Sequence, residues 1–514
     1  MTQWNIQDIE IRTRSVEKVL VPLIAQVGVL VNQGNNENYR DNVSEKVKTA
    51  LPNLELSIFK FTSIGHEMGN ANDNIRDDMV KSCDATNKAC NTIVSMLNTD
   101  ENNNATEPTN EKTLSDAAKI LLSAITKILI LADRTAILKL VKSAAKVNAR
   151  LEELESVTNF TEFVNAFSQF GGDMVELAYV SGERQNDLRD ELQRAEVCAA
   201  RAILEKSTMM LLTTCKTCLR HPDSPLAKGI RGAVFQSMRD AMTTLKAVIE
   251  NNECPGKAFC CGISLDLNNT KEGIEDLLKT PKDYQKMENL IDMVDNINID
   301  MEDLINKENI EDSRKSLIKA LIMQSKGLHK NLLEFVEDDQ VKEDEENIYK
   351  TLRELFDICD EMLEESSKAS AEQVFHLVET CEYKEVLARL KESALSGELD
   401  KVEETAERLE SVLSEILQIT RLTKATSNID ACIITATRLE ENLINLMPQA
   451  IDAGKMLSAH PTSKITQENF EVFIDVWDTQ VDELLTLLRN ITEGHTENNE
   501  WLTIYIPMAS KINS

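Results

Sequence analysis

The sequence predicts an all-α protein made of tandem up-down four-helix bundles that share very long helices. Glycine and proline are scarce, at 16 and 10 residues, and aromatic residues make up only 4% of the 514-residue chain. Two long stretches, residues 114–154 and 173–219, contain no proline, and helical spacing of apolar residues recurs along most of the chain. This composition is typical of helical proteins and not of sheet-containing folds.

Residues 173–219 form the stretch around which the rest of the chain is organised. At about 1.5 Å per residue, one uninterrupted helix here is a rod of roughly 70 Å. From Ser181 to Glu196 it is mostly charged, whereas from Val197 to Leu219 it is apolar on several faces. A helix that is apolar on several faces must be surrounded by other helices. We therefore predict a single helix that serves one bundle with its first half and another with its second.

The chain before this stretch reads as three helices, a loop and a second very long helix. Residues 10–31 have helical spacing, with a kink at Pro22. Residues 98–112 have no apolar pattern and predict an exposed loop. The helices that follow residues 10–31 are predicted at 42–68, 71–97 and 114–154, and a short segment at 159–173 turns the chain.

The chain after residue 219 is also predicted to be helical, with a more acidic surface. Two prolines break the pattern at 221–229, and the segment at 251–270 is rich in Asn, Gly and Cys, so it is the best linker candidate. Helices are predicted at 233–249, 271–306, 309–338, 343–366, 369–395, 398–424, 427–458 and 465–493. The resulting domains are an N-terminal double bundle at 1–252, a linker at 253–270, a first middle bundle at 271–395, a second middle bundle at 396–495, and an irregular tail at 496–514.

Charge and cysteine usage limit the classes of partner. The chain carries 56 basic and 87 acidic residues, a formal net charge of −31, which repels nucleic acid and anionic membranes. No window approaches the roughly 18 apolar residues of a membrane span, and the N-terminus lacks a signal-peptide core. The 11 cysteines have no regular spacing and read as reduced thiols. We expect a soluble cytoplasmic protein.

The sequence shows no pattern that indicates catalysis, a cofactor or a metal. It contains no nucleotide-binding glycine loop, no HExxH and no GxSxG. Cys215 and Cys218 have the spacing of a redox pair but lie within an apolar helix, which favours buried core cysteines. Cys254, Cys260 and Cys261 with His221 could supply four zinc ligands, but their spacing matches no known finger, so loop cysteines without metal are favoured. We expect a non-enzymatic protein.

Three strings resemble the vinculin/α-catenin superfamily. They are EIRTRSVEKVLVPLIAQVGVLV (10–31), SDAAKILLSAITKILILAD (115–133) and AARAILEKSTMMLLTTCKTCLRHPD (199–223). Further strings at 158–191 and 457–480 resemble one branch of that superfamily, whose members are associated with cell adhesion and with scaffolding of Rho signalling. The resemblance implies stacked helical bundles and an adaptor that links adhesion-complex or Rho-pathway proteins to the actin cytoskeleton, at cell junctions or the plasma-membrane periphery.

The resemblance also implies two stretches that bind protein partners. In α-catenin the first helices hold β-catenin or form a competing homodimer. The corresponding stripe here is Val47, Leu51, Leu54, Ile58 and Phe61. The helix at 309–337 aligns by pattern with the α-catenin helix that unmasks to bind vinculin, with Leu317, Leu321, Leu328, Leu332 and Phe335 as the inserting face. Ordinary bundle core is the alternative interpretation of both sets.

The resemblance implies a C-terminal F-actin-binding bundle, and we expect no counterpart of that bundle in these 514 residues. This expectation argues against direct actin binding, and F-actin is predicted as a direct or an indirect partner. The alternative function is a cytosolic signalling scaffold, or a competitor, that is uncoupled from actin. A spectrin-like rod is less favoured because no steady repeat is visible.

Overall fold

Helices make up the fold in the part of the chain that the structure describes. The computed structural model describes residues 13–19, 21, 40–99, 109–251, 254–259, 262–307, 310–337, 345–380 and 382–494. Most of the predicted helix at 10–31 and the predicted tail at 496–514 lie outside these residues.

After a short helical stretch at residues 14–19, fourteen helices are described and numbered α1 to α14. Their bounds are α1 (Arg40–Ala71), α2 (Arg76–Thr99), α3 (Thr109–Ser156), α4 (Phe160–Asp187), α5 (Glu191–Arg220), α6 (Pro225–Asn251), α7 (Ile263–Lys279), α8 (Tyr284–Lys307), α9 (Asp312–Glu337), α10 (Glu345–Thr380), α11 (Glu382–Ser396), α12 (Leu399–Thr426), α13 (Asp430–Ala459) and α14 (Lys464–Thr492). A 3-10 helix spans Pro255–Phe259. The predicted all-α class is confirmed.

The chain divides into two compact units. The first contains residues 1–150 and 170–194, and the second contains residues 151–169 and 195–514. The division into five domains made from the sequence stays a prediction.

The first unit is built around α1, α2 and the first half of α3. Leu54 and Ile58 from α1 pack with Cys90 and Ile93 from α2 and with Leu121 from α3. The long α3 confirms the helix predicted at 114–154, but it starts five residues earlier, at Thr109, and α2 runs on to Thr99. Both ends of the loop predicted at 98–112 are therefore helical.

The single helix predicted at 173–219 is wrong, because the chain leaves the helix between α4 and α5. The backbone N–H and the hydroxyl of Ser15 both donate to the Asp187 carboxylate, at 2.8 Å each. Leu188 pairs with Thr13 in an isolated antiparallel β-bridge. The Asp190 carboxylate then accepts a hydrogen bond from the Leu192 N–H at 2.9 Å, which caps the start of α5. Residues 13–15, which are more than 170 positions away in sequence, thus bind the chain at the point where the helix is interrupted.

In the second unit, α7, α8, α9 and the first part of α10 form the first middle bundle. Each of these helices packs against its two neighbours, which closes a four-helix arrangement around one apolar core. The single helix predicted at 271–306 is wrong, since α7 ends at Lys279 and α8 starts at Tyr284. Pro281 lies in the turn between them and cannot donate the hydrogen bond that a continuous helix needs.

The second middle bundle consists of the last part of α10 with α11, α12, α13 and α14. The break predicted between 366 and 369 is wrong, because α10 continues to Thr380. Its buried residues contact the first bundle up to Ala369, and beyond this point α10 packs against α12 and α14. The hydroxyl of Ser370, for example, donates to that of Thr423 on α12 at 2.8 Å. The long helix α10 therefore belongs to both middle bundles, as the shared-helix architecture predicts.

Candidate partner-binding surface

The predicted partner-binding helix at 309–337 corresponds to α9, and most of its predicted face is buried in the first middle bundle. Leu332 is 0% exposed and Phe335 is 2% exposed, while Leu321 and Leu328 are also buried. Leu317 is 46% exposed and points away from the core. The structure therefore brings four of the five predicted residues together.

The apolar face of α9 includes two residues that the sequence interpretation missed. Ile318 and Ile322 are 0% and 2% exposed and belong to the same core. They precede Ser325 and Leu328 at the three- and four-residue spacing of one helix face. Leu317 lies one position before Ile318, and one residue turns the helix by about 100°. The signal for the correct face was present in the spacing of the two isoleucines.

Charged contacts at the rim fix α9 to its neighbours. The Arg314 guanidinium pairs with Glu365 and Glu372 on α10. The hydrogen bond from Arg314 is the main cause of the lowered pKa of Glu372, and it raises the pKa of Arg314 itself. On the opposite side, Lys326 pairs with Glu302 of α8 at 2.7 Å. These ion pairs are partly or largely solvent-accessible, so each contributes little to stability.

A polar defect lies inside the same bundle. Asn298 on α8 is 0% exposed, and neither atom of its side-chain amide has a hydrogen-bond partner in the described part of the chain. The hydroxyl of Thr270 on α7 is likewise buried without a partner there. Each unsatisfied group costs about 1–3 kcal/mol relative to its hydrated state. The bundle around α9 is therefore less stable than a fully apolar bundle of the same size.

The second predicted partner surface is the stripe on α1. Leu54 and Ile58 are both 2% exposed and lie in the core of the first unit, and Phe61 is half-buried against that core. Val47 and Leu51 also lie on α1, but their side chains are outside the described part of the structure. The described members of the stripe thus occupy the position of bundle core.

Most of the cysteines that the structure describes are buried, where thiol chemistry is disfavoured. Cys215 and Cys218 are buried in α5, and burial raises the pKa of Cys215 to about 11. Cys254 is half-buried, while Cys260 and Cys261 are outside the described residues. Among the residues that the structure describes, no group of three or more His, Cys, Asp or Glu side chains could hold a metal ion.

Comparison with known proteins identifies the family. The Vinculin family model matches residues 10–496, which is nearly the whole chain. The chain belongs to the vinculin family. Members of this family are non-enzymatic structural adaptors, so membership confirms the prediction that the chain is not an enzyme.

Relatives within the family support the resemblance found in the sequence. Human α-catulin is 32% identical over 98% of this chain and 71% of its own length. The α-catenin of Drosophila melanogaster is 26% identical over 95% of this chain and 54% of its own length. The strings at 158–191 and 457–480 are the ones that resemble α-catulin. The chain therefore spans about two thirds of α-catulin and about half of α-catenin.

A solved structure supports the fold. A vinculin homologue from a sponge superposes with a TM-score of 0.69 over 96% of this chain and 61% of its own chain, at 14% identity. Family membership makes this protein a structural adaptor of the cytoskeletal and cell-adhesion kind. None of the helices described above combines the length and apolar character that crossing a bilayer demands.

Proposed function

We propose that this adaptor binds a protein partner through the apolar face of α9, which becomes available when the first middle bundle opens. The observation that carries the proposal is the burial of Leu321, Leu328, Leu332 and Phe335 together on one face of one helix. A partner that offers a hydrophobic groove, such as the helical head of vinculin, can replace the bundle core that this face now contacts.

The polar features around α9 support an opening step of moderate cost. The unpaired amide of Asn298, on α8 and not on α9, lowers the stability of the closed bundle. Arg314 holds the start of α9 to α10 through a partly accessible ion-pair network, which is weakened readily by competing charge. Opening therefore requires the loss of apolar packing but not of many strong polar contacts.

The test of the binding face uses a synthetic peptide of residues 309–337 and the purified vinculin head. We expect the peptide to bind and the Leu332→Glu peptide to lose binding at least tenfold, because a charge enters the apolar groove. The matched control is Met323→Glu, since Met323 is 75% exposed and lies off the buried face. Equal binding by all three peptides would show that the apolar face of α9 is not the contact.

We further propose that the chain connects adhesion-complex or Rho-pathway proteins with the actin cytoskeleton, at junctions or the membrane periphery. The stripe on α1, from Val47 to Phe61, is the proposed site for a β-catenin-like partner or a second copy of the chain. Co-sedimentation of the 514-residue chain with F-actin separates a direct link from the alternative of an actin-uncoupled scaffold. Light scattering across a concentration series reports the proposed homodimer.

A further inference from the structure

The turn between α7 and α8 carries a threonine with the local features of a kinase substrate. The chain has only two Ser/Thr-Pro dipeptides, Ser224-Pro225 and Thr280-Pro281. Thr280 is exposed, and its backbone has left the helix, with φ −138° and ψ 68°. The Asp283 N–H donates to the Thr280 carbonyl at 3.1 Å, so Pro281 takes the second position of a four-residue turn, where its fixed φ fits.

The other dipeptide is poorly placed for modification. Ser224 is half-buried and caps α6, since its hydroxyl oxygen accepts a hydrogen bond from the Ala227 N–H at 3.3 Å. The same hydroxyl lies 3.1 Å from the sulfur of Met456 on α13. Pro225 is the first residue of α6, so the dipeptide is already part of a helix end. The two sites therefore form a natural pair of candidate and control.

We propose that Thr280 is a phosphorylation site for a proline-directed Ser/Thr kinase. In the reaction, the Thr280 hydroxyl oxygen attacks the γ-phosphorus of ATP and forms a new P–O bond. The bond between this phosphorus and the β,γ-bridging oxygen breaks, ADP leaves, and the hydroxyl proton passes to the base of the kinase. The Thr280 hydroxyl donates to the Asp276 carbonyl at 3.1 Å, and this exposed hydrogen bond has to open before the hydroxyl enters the active site of the kinase.

The surroundings of Thr280 determine what the phosphate does. Lys279 and Lys282 flank the turn, and Lys282 pairs with Glu345, the first residue of α10, at 2.7 Å. A phosphate of charge near −2 competes with Glu345 for Lys282. It also stands at the C-terminal end of α7, where the helix dipole disfavours negative charge, four residues after the acidic Asp276. Phosphorylation therefore loosens the contact between this turn and the start of α10.

This contact lies at the end of the first middle bundle where α9 ends and α10 begins. Leu332 and Phe335 of α9 are buried near this end. Weakening the contact between Lys282 and Glu345 favours exposure of the apolar face of α9. Phosphorylation of Thr280 would therefore regulate partner binding by this face. This consequence rests on the proposed function of α9, whereas the modification itself does not.

The experiment incubates the purified 514-residue chain with Mg-ATP and a proline-directed kinase, and maps the phosphate by mass spectrometry. We expect one phosphate per chain on Thr280, its loss in Thr280→Ala, and no change in Ser224→Ala. No phosphate on Thr280 of the folded chain, or incorporation only after heat denaturation, would overturn the site.

A second measurement tests the consequence. Hydrogen exchange of the phosphorylated chain is expected to be roughly two- to fivefold faster in α7 and in the last turns of α9, the change that loss of one accessible ion pair produces. Lys282→Ala is expected to give the same pattern without phosphate. A phosphorylated chain with unchanged exchange would refute the regulatory consequence, and because no partner is used, this result is separate from failure of the proposed binding function.

Discussion

Replacing Asn298 by leucine is expected to stabilise the first middle bundle. Asn298 is 0% exposed, and both polar atoms of its amide are unsatisfied in the described structure. Removing two such groups recovers about 2–6 kcal/mol of desolvation free energy. The larger leucine side chain costs about 1–3 kcal/mol through overpacking. The middle values of these ranges, about 4 and about 2 kcal/mol, leave a net gain in opening free energy of about 2 kcal/mol.

Hydrogen exchange followed by mass spectrometry is the appropriate assay, because a chain with several bundles does not unfold in one step. A gain of about 1.4 kcal/mol slows exchange through bundle opening roughly tenfold. The slowing should appear in α8 and α9. The matched control is Asn296→Leu, since Asn296 lies on the same helix and is exposed. Faster or unchanged exchange in Asn298→Leu would refute the interpretation of this residue as a destabilising defect.

Three further predictions concern other parts of the second unit. Leu332→Ala should destabilise the first middle bundle by about 2–5 kcal/mol, and Leu317→Ala by less than about 0.5 kcal/mol, in the same exchange assay. Glu196 is 0% exposed and pairs with Arg438 at 3.0 Å. Glu196→Gln should therefore lower the opening free energy of the helices that carry this pair by about 3 kcal/mol in the same exchange assay. An unchanged opening free energy would show that the ion pair does not stabilise the fold. Burial lowers the pKa of His221, so the unfolded chain binds the proton more tightly. Thermal stability should then fall as the pH drops below about 6.5, and His221→Phe should flatten this dependence.

The pH prediction depends on a specific contact at the ends of α5 and α13. His221 and His460 stack with ring centroids 4.3 Å apart and planes inclined by 19°. The neighbouring ring and Arg220 add to burial in lowering the pKa of His221. Protonation of His221 therefore opposes this stacking.

The sequence was sufficient for the helical class and for the long helix α3, because both depend on local pattern. It also contained the signal for the turn at Pro281, where a proline interrupts the apolar spacing. The break at Leu188 could not be predicted in this way. It depends on Ser15 and Thr13, which are far away in sequence and contact the chain only in the folded protein.

At the candidate site on α9, the sequence interpretation of the buried face was right for four residues and wrong for one. Spacing alone placed Leu321, Leu328, Leu332 and Phe335 on one face, but it chose Leu317 in place of Ile318 for the first turn. Both residues are apolar and adjacent, but Ile318 lies four residues before the buried Ile322, and the choice of Leu317 missed this spacing. The unsatisfied amide of Asn298 could not be predicted from the sequence. An asparagine in a helix is common, and only the packing of the neighbouring helices leaves this one buried without hydrogen-bond partners.

The most direct test of the proposed binding by α9 is the affinity for the vinculin head of the wild-type chain and of two variants. If the face of α9 binds only after the bundle opens, affinity must follow the ease of opening. Arg314→Ala, which releases α9 from Glu365 and Glu372, should bind more tightly than the wild-type chain. Asn298→Leu should bind about tenfold more weakly. Equal affinity of all three chains, or no binding by any of them, would contradict the account.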